Sequence, residues 1–179
     1  MKVPILSIGA TVFLDRDGTI NVSPDGGEYL DDPADVVLIP GSGEAIAELN
    51  SRGNPCVVVT NQRGISRGLM TAQDLRDVNQ KLVEMLSEKG ARVEGIYYCP
   101  HAVGVCDCRK PGSGMFIDAA REIACVSIEG AVMIGDSKLD VEAGRALGMT
   151  TVLVGEAAGS PTVADYSAPD LRSAVELLI

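Results

Sequence analysis

Short, nearly unbroken apolar runs recur along this chain and alternate with stretches of helical periodicity, and few architectures accept that alternation. The runs fall at residues 11–14, 56–60, 95–99, 131–135 and 150–154. A strand that is apolar on both sides has to be covered on both faces, and helices between successive strands supply that cover when the strands are parallel. The intervening segments fit. Residues 42–52 read as a helix ended by Gly53. Residues 71–89 form the clearest one, with Thr71 and Asp74 placed as a capping box, an apolar stripe of Leu75, Val78, Leu82, Met85 and Leu86, and a stop at Gly90. Further helices are expected over 115–124 and over 139–147, the latter closed by Gly148. The expectation is an α/β protein of Rossmann-like type: a parallel central sheet with helices on both faces.

Two segments stand outside this rhythm. The Pro-, Gly- and Asp-rich residues 24–40 make a long connection, and long loops inside a domain are often functional. Residues 155–169 read as a surface excursion before a short last helix. No repeat and no linker divides the 179 residues, so 1–179 is expected to be one domain. Aromatic residues are 3% of the chain, without Trp, so the core must be aliphatic. A formal charge of −10 argues against nucleic-acid and anionic-membrane partners, and means that a phosphorylated substrate would be held by local cations against the overall field. No run approaches the ~20 apolar residues of a membrane span. Residues 1–14 are apolar but interrupted by Pro4 and Gly9 and lead straight into Asp15, which favours a strand over a secretion signal. A cytoplasmic monomer is expected.

The residues able to do chemistry follow the ends of the apolar runs. Asp15 closes the first, Thr60 and Asn61 the second, Asp136 the fourth. In open parallel sheets ligands bind beyond the carboxyl ends of the strands, so side chains far apart in sequence meet at one rim. Asp15 and Asp17, around a turn carrying Gly18, suit phosphoryl transfer. One carboxylate attacks phosphorus to give an aspartyl phosphate, and the other handles the leaving-group proton. Attack by an anion on a phosphate needs charge compensation, which Mg²⁺ held by Asp15 and Asp136 would supply. Lys110 adds a cation, and the Thr60 hydroxyl with nearby N–H groups holds phosphoryl oxygens. Asp140, four residues after Asp136, is placed to orient the metal's surroundings. Each signal alone is commonplace: Asp-x-Asp-Gly is usually a turn, and Gly-Asp after a strand is usually a helix cap. Their succession at strand ends carries the reading.

Cysteine usage adds a second metal. Cys99-Pro100-His101 and Cys106-Asp107-Cys108 gather three thiols and the chain's one histidine within ten residues. That set suits a closed tetrahedral Zn²⁺ site rather than a disulfide framework, and it lies directly before Arg109-Lys110-Pro111. Cys56, in an apolar run, and Cys125, near a helix end, are expected to be buried or inert thiols.

Asp15-Arg16-Asp17-Gly18-Thr19, Thr60-Asn61, Lys110 and Gly135-Asp136 together resemble the four motifs of the haloacid dehalogenase-like (HAD) phosphohydrolases. Residues 13–21, 57–68 and 97–111 are closer still to one branch, the D-glycero-D-manno-heptose-1,7-bisphosphate 7-phosphatases, sister to the histidinol-phosphate phosphatases. The resemblance implies a HAD fold without a large cap domain, in which short insertions and a zinc-bound loop shape the pocket. It implies Asp15 as nucleophile and Asp17 as proton donor, with Asp17 also offering its backbone carbonyl to Mg²⁺. Thr60 and Lys110 would stabilise the phosphoryl group, while Asn61, Arg63 and Arg109 would contact the sugar phosphate. Cys99, His101, Cys106 and Cys108 would hold structural Zn²⁺. The short gap between His101 and Cys106, and Ser137 where many heptose enzymes have Lys, keep histidinol-phosphate phosphatase as the alternative. A zinc-stabilised binding module without catalysis is the reading from a different class.

Overall fold

The computed structural model of the protein describes residues 5–24, 28–155 and 164–179. Every strand pairs in parallel, in the order β3-β2-β1-β4-β5-β6. The strands are β1 (Val12–Leu14), β2 (Cys56–Asn61), β3 (Gly95–Cys99), β4 (Val132–Gly135), β5 (Thr150–Val154) and β6 (Tyr166–Ala168). The helices are α1 (Ser42–Ser51), α2 (Ala72–Glu88), α3 (Gly114–Glu122), α4 (Lys138–Ala146) and α5 (Leu171–Leu178).

Alternation along the strands divides the core into two layers. Val12, Leu14, Val58, Val132, Ile134, Val152 and Val154 point to one face, where α1, α2 and α5 cover them with Ile46, Leu49, Val78, Leu82, Leu86, Ala174 and Val175. Phe13, Val57, Val59 and Met133 point to the other, beneath Met115, Phe116 and Ala119 of α3 and Ala143 of α4. Phe13 and Phe116 meet edge to face at 5.1 Å, the one aromatic pair among the described residues of a largely aliphatic core. α2 forms as its sequence demands: the Thr71 hydroxyl accepts from the Asp74 N–H, the Asp74 carboxylate accepts from the Thr71 N–H, and Leu75, Val78, Leu82 and Leu86 are buried.

From β1 the chain runs outward through β2 and β3, then returns to the other side of β1 for β4, β5 and β6. The order therefore reverses between β1 and β4, and their ends flank the crevice where such sheets bind ligands.

One expectation needs correction. Residues 155–169 are not only a surface excursion, because Tyr166–Ala168 pairs with β5 and extends the sheet. A three-residue strand is too short to show a period, and what fixes it is Asp165, whose carboxylate accepts from the N–H and hydroxyl of Thr151 at 2.8 Å each. Residues 156–163 of that segment lie outside the described residues, as do 1–4 and 25–27. The connection over 24–40 is partly built: Val22 donates to Val37 O and Ile39 to Ile20 O, and Pro33–Asp35 makes a 3₁₀ turn capped by Asp32. Of the two thiols outside the cysteine cluster, Cys56 is buried and Cys125 is exposed. Among the described residues no helix is long and apolar enough to cross a membrane.

Candidate active site

Asp15 is the first residue beyond β1, and its N–H still donates to Ile134 O of β4 at 2.9 Å, so the sheet itself fixes its backbone. Lys110 reaches it from the far end of the Cys99–Lys110 loop. The buried ammonium donates to Asp15 Oδ1 and to Val59 O, each at 2.7 Å, and lies 2.6 Å from Asp140 Oδ1. Asp140 comes from the first turn of α4, where its other oxygen accepts from the N–H of Ser137 at 3.0 Å and from the Ser137 hydroxyl. Asp136 stands at the end of β4 beside this cluster. A Cβ on Gly18 would overlap the Asp136 carboxylate, and one on Gly135 would overlap Asp140. Glycine at these two positions is what lets the strand ends and carboxylates close together.

The charges here do not balance. Oxygens of Asp15, Asp136 and Asp140 lie within 4.8 Å of one another with one ammonium among them. Burial pushes the Asp15 carboxyl up to about 7, with the Lys110 charge opposing and Asp140 reinforcing the rise. Asp136 is pushed up to about 6, by burial first and then by Asp140. Burial would lower Lys110, but Asp140 and Asp15 outweigh it and hold the ammonium above its ordinary value. A group of hard oxygens short of positive charge is a fitting donor set for a divalent cation such as Mg²⁺.

Asp17 leans over the same rim. It accepts from the Arg16 fork, from Asn21 Nδ2 at 2.9 Å and from Gln62 Nε2 at 2.8 Å. Gln62 also donates to the Thr60 hydroxyl at 2.9 Å, which ties Thr60, buried at the end of β2, to Asp17. The Asn61 side chain is engaged with the backbone of Lys110, accepting from its N–H at 3.0 Å and donating to its carbonyl at 3.2 Å. It thereby sets where Lys110 enters the site. Arg109 is half-buried, and its Nη1 is buried without a hydrogen-bond partner among the described residues. Arg63 sits with Arg67 around Tyr29, and the two guanidiniums hold the phenol below its usual range. Tyr29 in turn lies against Gly64. Of this group, Arg16, Asn21, Gln62, Tyr29 and Arg67 were not legible as site residues from the sequence; the Gln62 signal was its place directly after Thr60-Asn61.

The second cluster lies on the loop between β3 and Lys110. Cys99 Sγ is 3.6 Å from His101 Nδ1 and 3.5 Å from Cys106 Sγ, and Cys108 Sγ is 3.2 Å from His101 Nδ1 and 3.3 Å from Cys106 Sγ. A tetrahedral zinc with bonds of about 2.0–2.3 Å would set its ligand atoms roughly 3.5–3.8 Å apart, and the four atoms stand within about 0.3 Å of that spacing. Burial and the neighbouring thiols push Cys108 up to about 12, a cost that a dication between the sulfurs would remove. Among the described residues these are the two groups with metal-holding geometry.

Known proteins share both sequence and shape with this chain. Residues 107–174 match the HAD-hydrolase-like family model. A Pseudomonas putida protein named D-glycero-beta-D-manno-heptose-1,7-bisphosphate 7-phosphatase is 41% identical over 85% of this chain and 86% of its own. A Mesorhizobium japonicum protein of the same name is 38% identical over 93% of this chain and 78% of its own. Among solved structures, the D,D-heptose 1,7-bisphosphate phosphatase of B. bronchiseptica, complexed with magnesium and phosphate, superposes with a TM-score of 0.83 at 33% identity. That match covers 93% of this chain and 96% of the other.

Proposed function

This chain belongs to the HAD-like hydrolases, in the branch of the heptose-bisphosphate phosphatases, and on that premise we propose that it hydrolyses the 7-phosphate of D-glycero-D-manno-heptose 1,7-bisphosphate. The observation that carries the chemistry is the cluster of Asp15, Lys110, Asp136 and Asp140 at the β1/β4 crevice. Asp15 is the nucleophile: one carboxylate oxygen bonds to phosphorus while the bond from phosphorus to the sugar oxygen breaks. The leaving oxygen takes a proton from the Asp17 carboxyl and departs as an alcohol. Asp17, now a carboxylate, takes a proton from the water that attacks the aspartyl phosphate, and phosphate leaves with Asp15 restored. Lys110 and the Thr60 hydroxyl stabilise the charge on the phosphoryl oxygens.

Mg²⁺ held by Asp15, Asp136 and the Asp17 carbonyl would neutralise phosphoryl charge, with Asp140 orienting that set through Lys110 and Ser137. Zn²⁺ held by Cys99, His101, Cys106 and Cys108 would fix the loop that carries Arg109 and Lys110. The buried, unpartnered Arg109 Nη1 supports a substrate contact there, and Arg63 lies on the loop that follows Thr60. The reading takes 1–179 as one phosphatase domain acting as a cytoplasmic monomer, and the free thiols suit a reducing compartment.

The test is a parallel assay, with Mg²⁺, of both anomers of the heptose bisphosphate and of histidinol phosphate, on wild type and on Asp15→Asn. Release of phosphate from a heptose bisphosphate, absent in Asp15→Asn, is the expected result. Preference for histidinol phosphate would show that the short His101–Cys106 gap was the better guide to substrate. An inactive wild type would leave only a zinc-stabilised binding module.

A further inference from the structure

Among the described residues, the most deeply buried charge belongs to a side chain that the reaction scheme leaves unused. Arg16, at 0% exposure, sits between the two aspartates of the nucleophile loop. Its guanidinium donates through Nε to Asp17 Oδ1 at 3.1 Å and through Nη2 to Asp17 Oδ2 at 2.9 Å. The third arm, Nη1, donates to Asn79 Oδ1 at 2.9 Å. Asn79 is half-buried on α2, next to Val78 in the stripe that docks this helix on the sheet. The residue is fixed at its backbone too, because Arg16 O accepts from the N–H groups of Thr19, Ile20 and Asn21.

Packing alone does not account for this arrangement. A buried guanidinium is costly, and an apolar side chain of similar volume would fill the space without that cost. Side chains of consecutive extended residues point apart, so a fork from residue 16 onto residue 17 requires the chain to leave the extended form after β1, as it does at the bend of Arg16. Its forked geometry defines the plane of a carboxylate, as a single ammonium cannot. Asn21 and Gln62 then complete the set of donors on the same carboxylate.

We propose that Arg16, anchored by Asn79 of α2, is the positioning residue for proton transfer by Asp17. It holds the plane of that carboxyl toward the leaving oxygen without touching substrate, and α2 is the rigid element from which the orientation is taken. The proposal rests on the reading of Asp17 as the group that gives and takes the proton.

The experiment compares two esters in the full chain with Mg²⁺: the heptose bisphosphate, whose alkyl leaving group needs a proton, and p-nitrophenyl phosphate, whose leaving group does not. Asn79→Ala removes one hydrogen bond on a half-buried helix position and should lower kcat on the alkyl ester about 3- to 10-fold. On the aryl ester the loss should stay under about 2-fold, with KM unchanged for both. Arg16→Lys, which loses the fork, should cost the alkyl ester up to about 100-fold and the aryl ester far less. In an Asp17→Asn background, Asn79→Ala should add no further loss on the alkyl ester, since both act through one group. Equal losses on the two esters, or no loss in Asn79→Ala, would overturn the positioning role. If Arg16→Lys does not fold, the Asn79 variants decide. If Asp17→Asn itself affects both esters alike, the acid–base reading falls, an outcome distinct from a selective Asp17→Asn paired with an unselective Asn79→Ala.

Discussion

Arg109 and Lys110 are adjacent cations placed in opposite circumstances. Lys110 is saturated by Asp15, Asp140 and the carbonyl of Val59, whereas Arg109 keeps a buried nitrogen with no partner among the described residues. A guanidinium left so is suited to receive an anion, and its fork reads a phosphate or several hydroxyls better than an ammonium would. Arg109→Ala should therefore raise KM for the heptose bisphosphate more than it lowers kcat, with a loss of roughly 10- to 150-fold in kcat/KM for a charge-assisted contact of about 1.5–3 kcal/mol. A small phosphate ester should be affected much less. Equal losses through kcat on both substrates would assign Arg109 to the phosphoryl site. Asp15, Asp17, Thr60, Lys110 and Asp136 were legible as candidates through their succession along the chain, with Asp15, Thr60 and Asp136 at strand ends, and not through residue type alone. Gln62 and Asn79 were not legible, because their roles depend on partners 45 and 63 positions away, and an amide by itself announces no chemistry.

At the scale of elements, the segment from Cys99 to Lys110 is a loop that gathers three thiols and a histidine with metal-holding geometry. It leaves β3 at Cys99, ends at Lys110, and is closed against the start of α3, where Gly114 donates to Asp107 O at 3.0 Å. Side chains at Gly112 and Gly114 would strike the backbone of Asp107 and Cys108, so this end of the loop is pressed against the helix. Elsewhere the loop has few apolar anchors, and Val103 and Val105 are exposed. Metal binding at such a site is partly folding free energy. Purified protein should contain one equivalent of zinc. Stripping it, or making Cys108→Ser, should lower Tm and raise KM together, because Arg109 and Lys110 lose their fixed approach. Full activity and an unchanged Tm in Cys108→Ser would contradict this. The strands and helices with long apolar patterns were legible to within a residue or two, as with α2, whose cap and stop are both written in the chain. β6 was not, since its pairing rests on Asp165 meeting Thr151 rather than on any pattern of its own.

For the molecule as a whole, the alternation of elements announces a parallel sheet, but not which strands lie side by side; the reversal between β1 and β4 emerges only from the packing of two helical layers. Cys56 reports on that packing. It begins β2, an interior strand of the sheet, at 0% exposure within the layer covered by α1, α2 and α5, so water reaches its sulfur only when the sheet opens. Burial, reinforced by Glu94, pushes the thiol up to about 12. An unfolded cysteine ionises near 8.5. A folded pKa raised in this way gives stability that is fully present below the unfolded value and is lost as pH rises toward the folded one, because the unfolded chain then holds fewer protons than the native one. Between pH 9 and 11 the unfolding free energy of wild type should therefore fall more steeply than that of Cys56→Ala, by about 1.4 kcal/mol per pH unit. All other groups are common to the two proteins and cancel in the comparison. Denaturant titrations of the two at three alkaline pH values would show the difference, and parallel slopes would mean that the sulfur reaches solvent without the sheet coming apart.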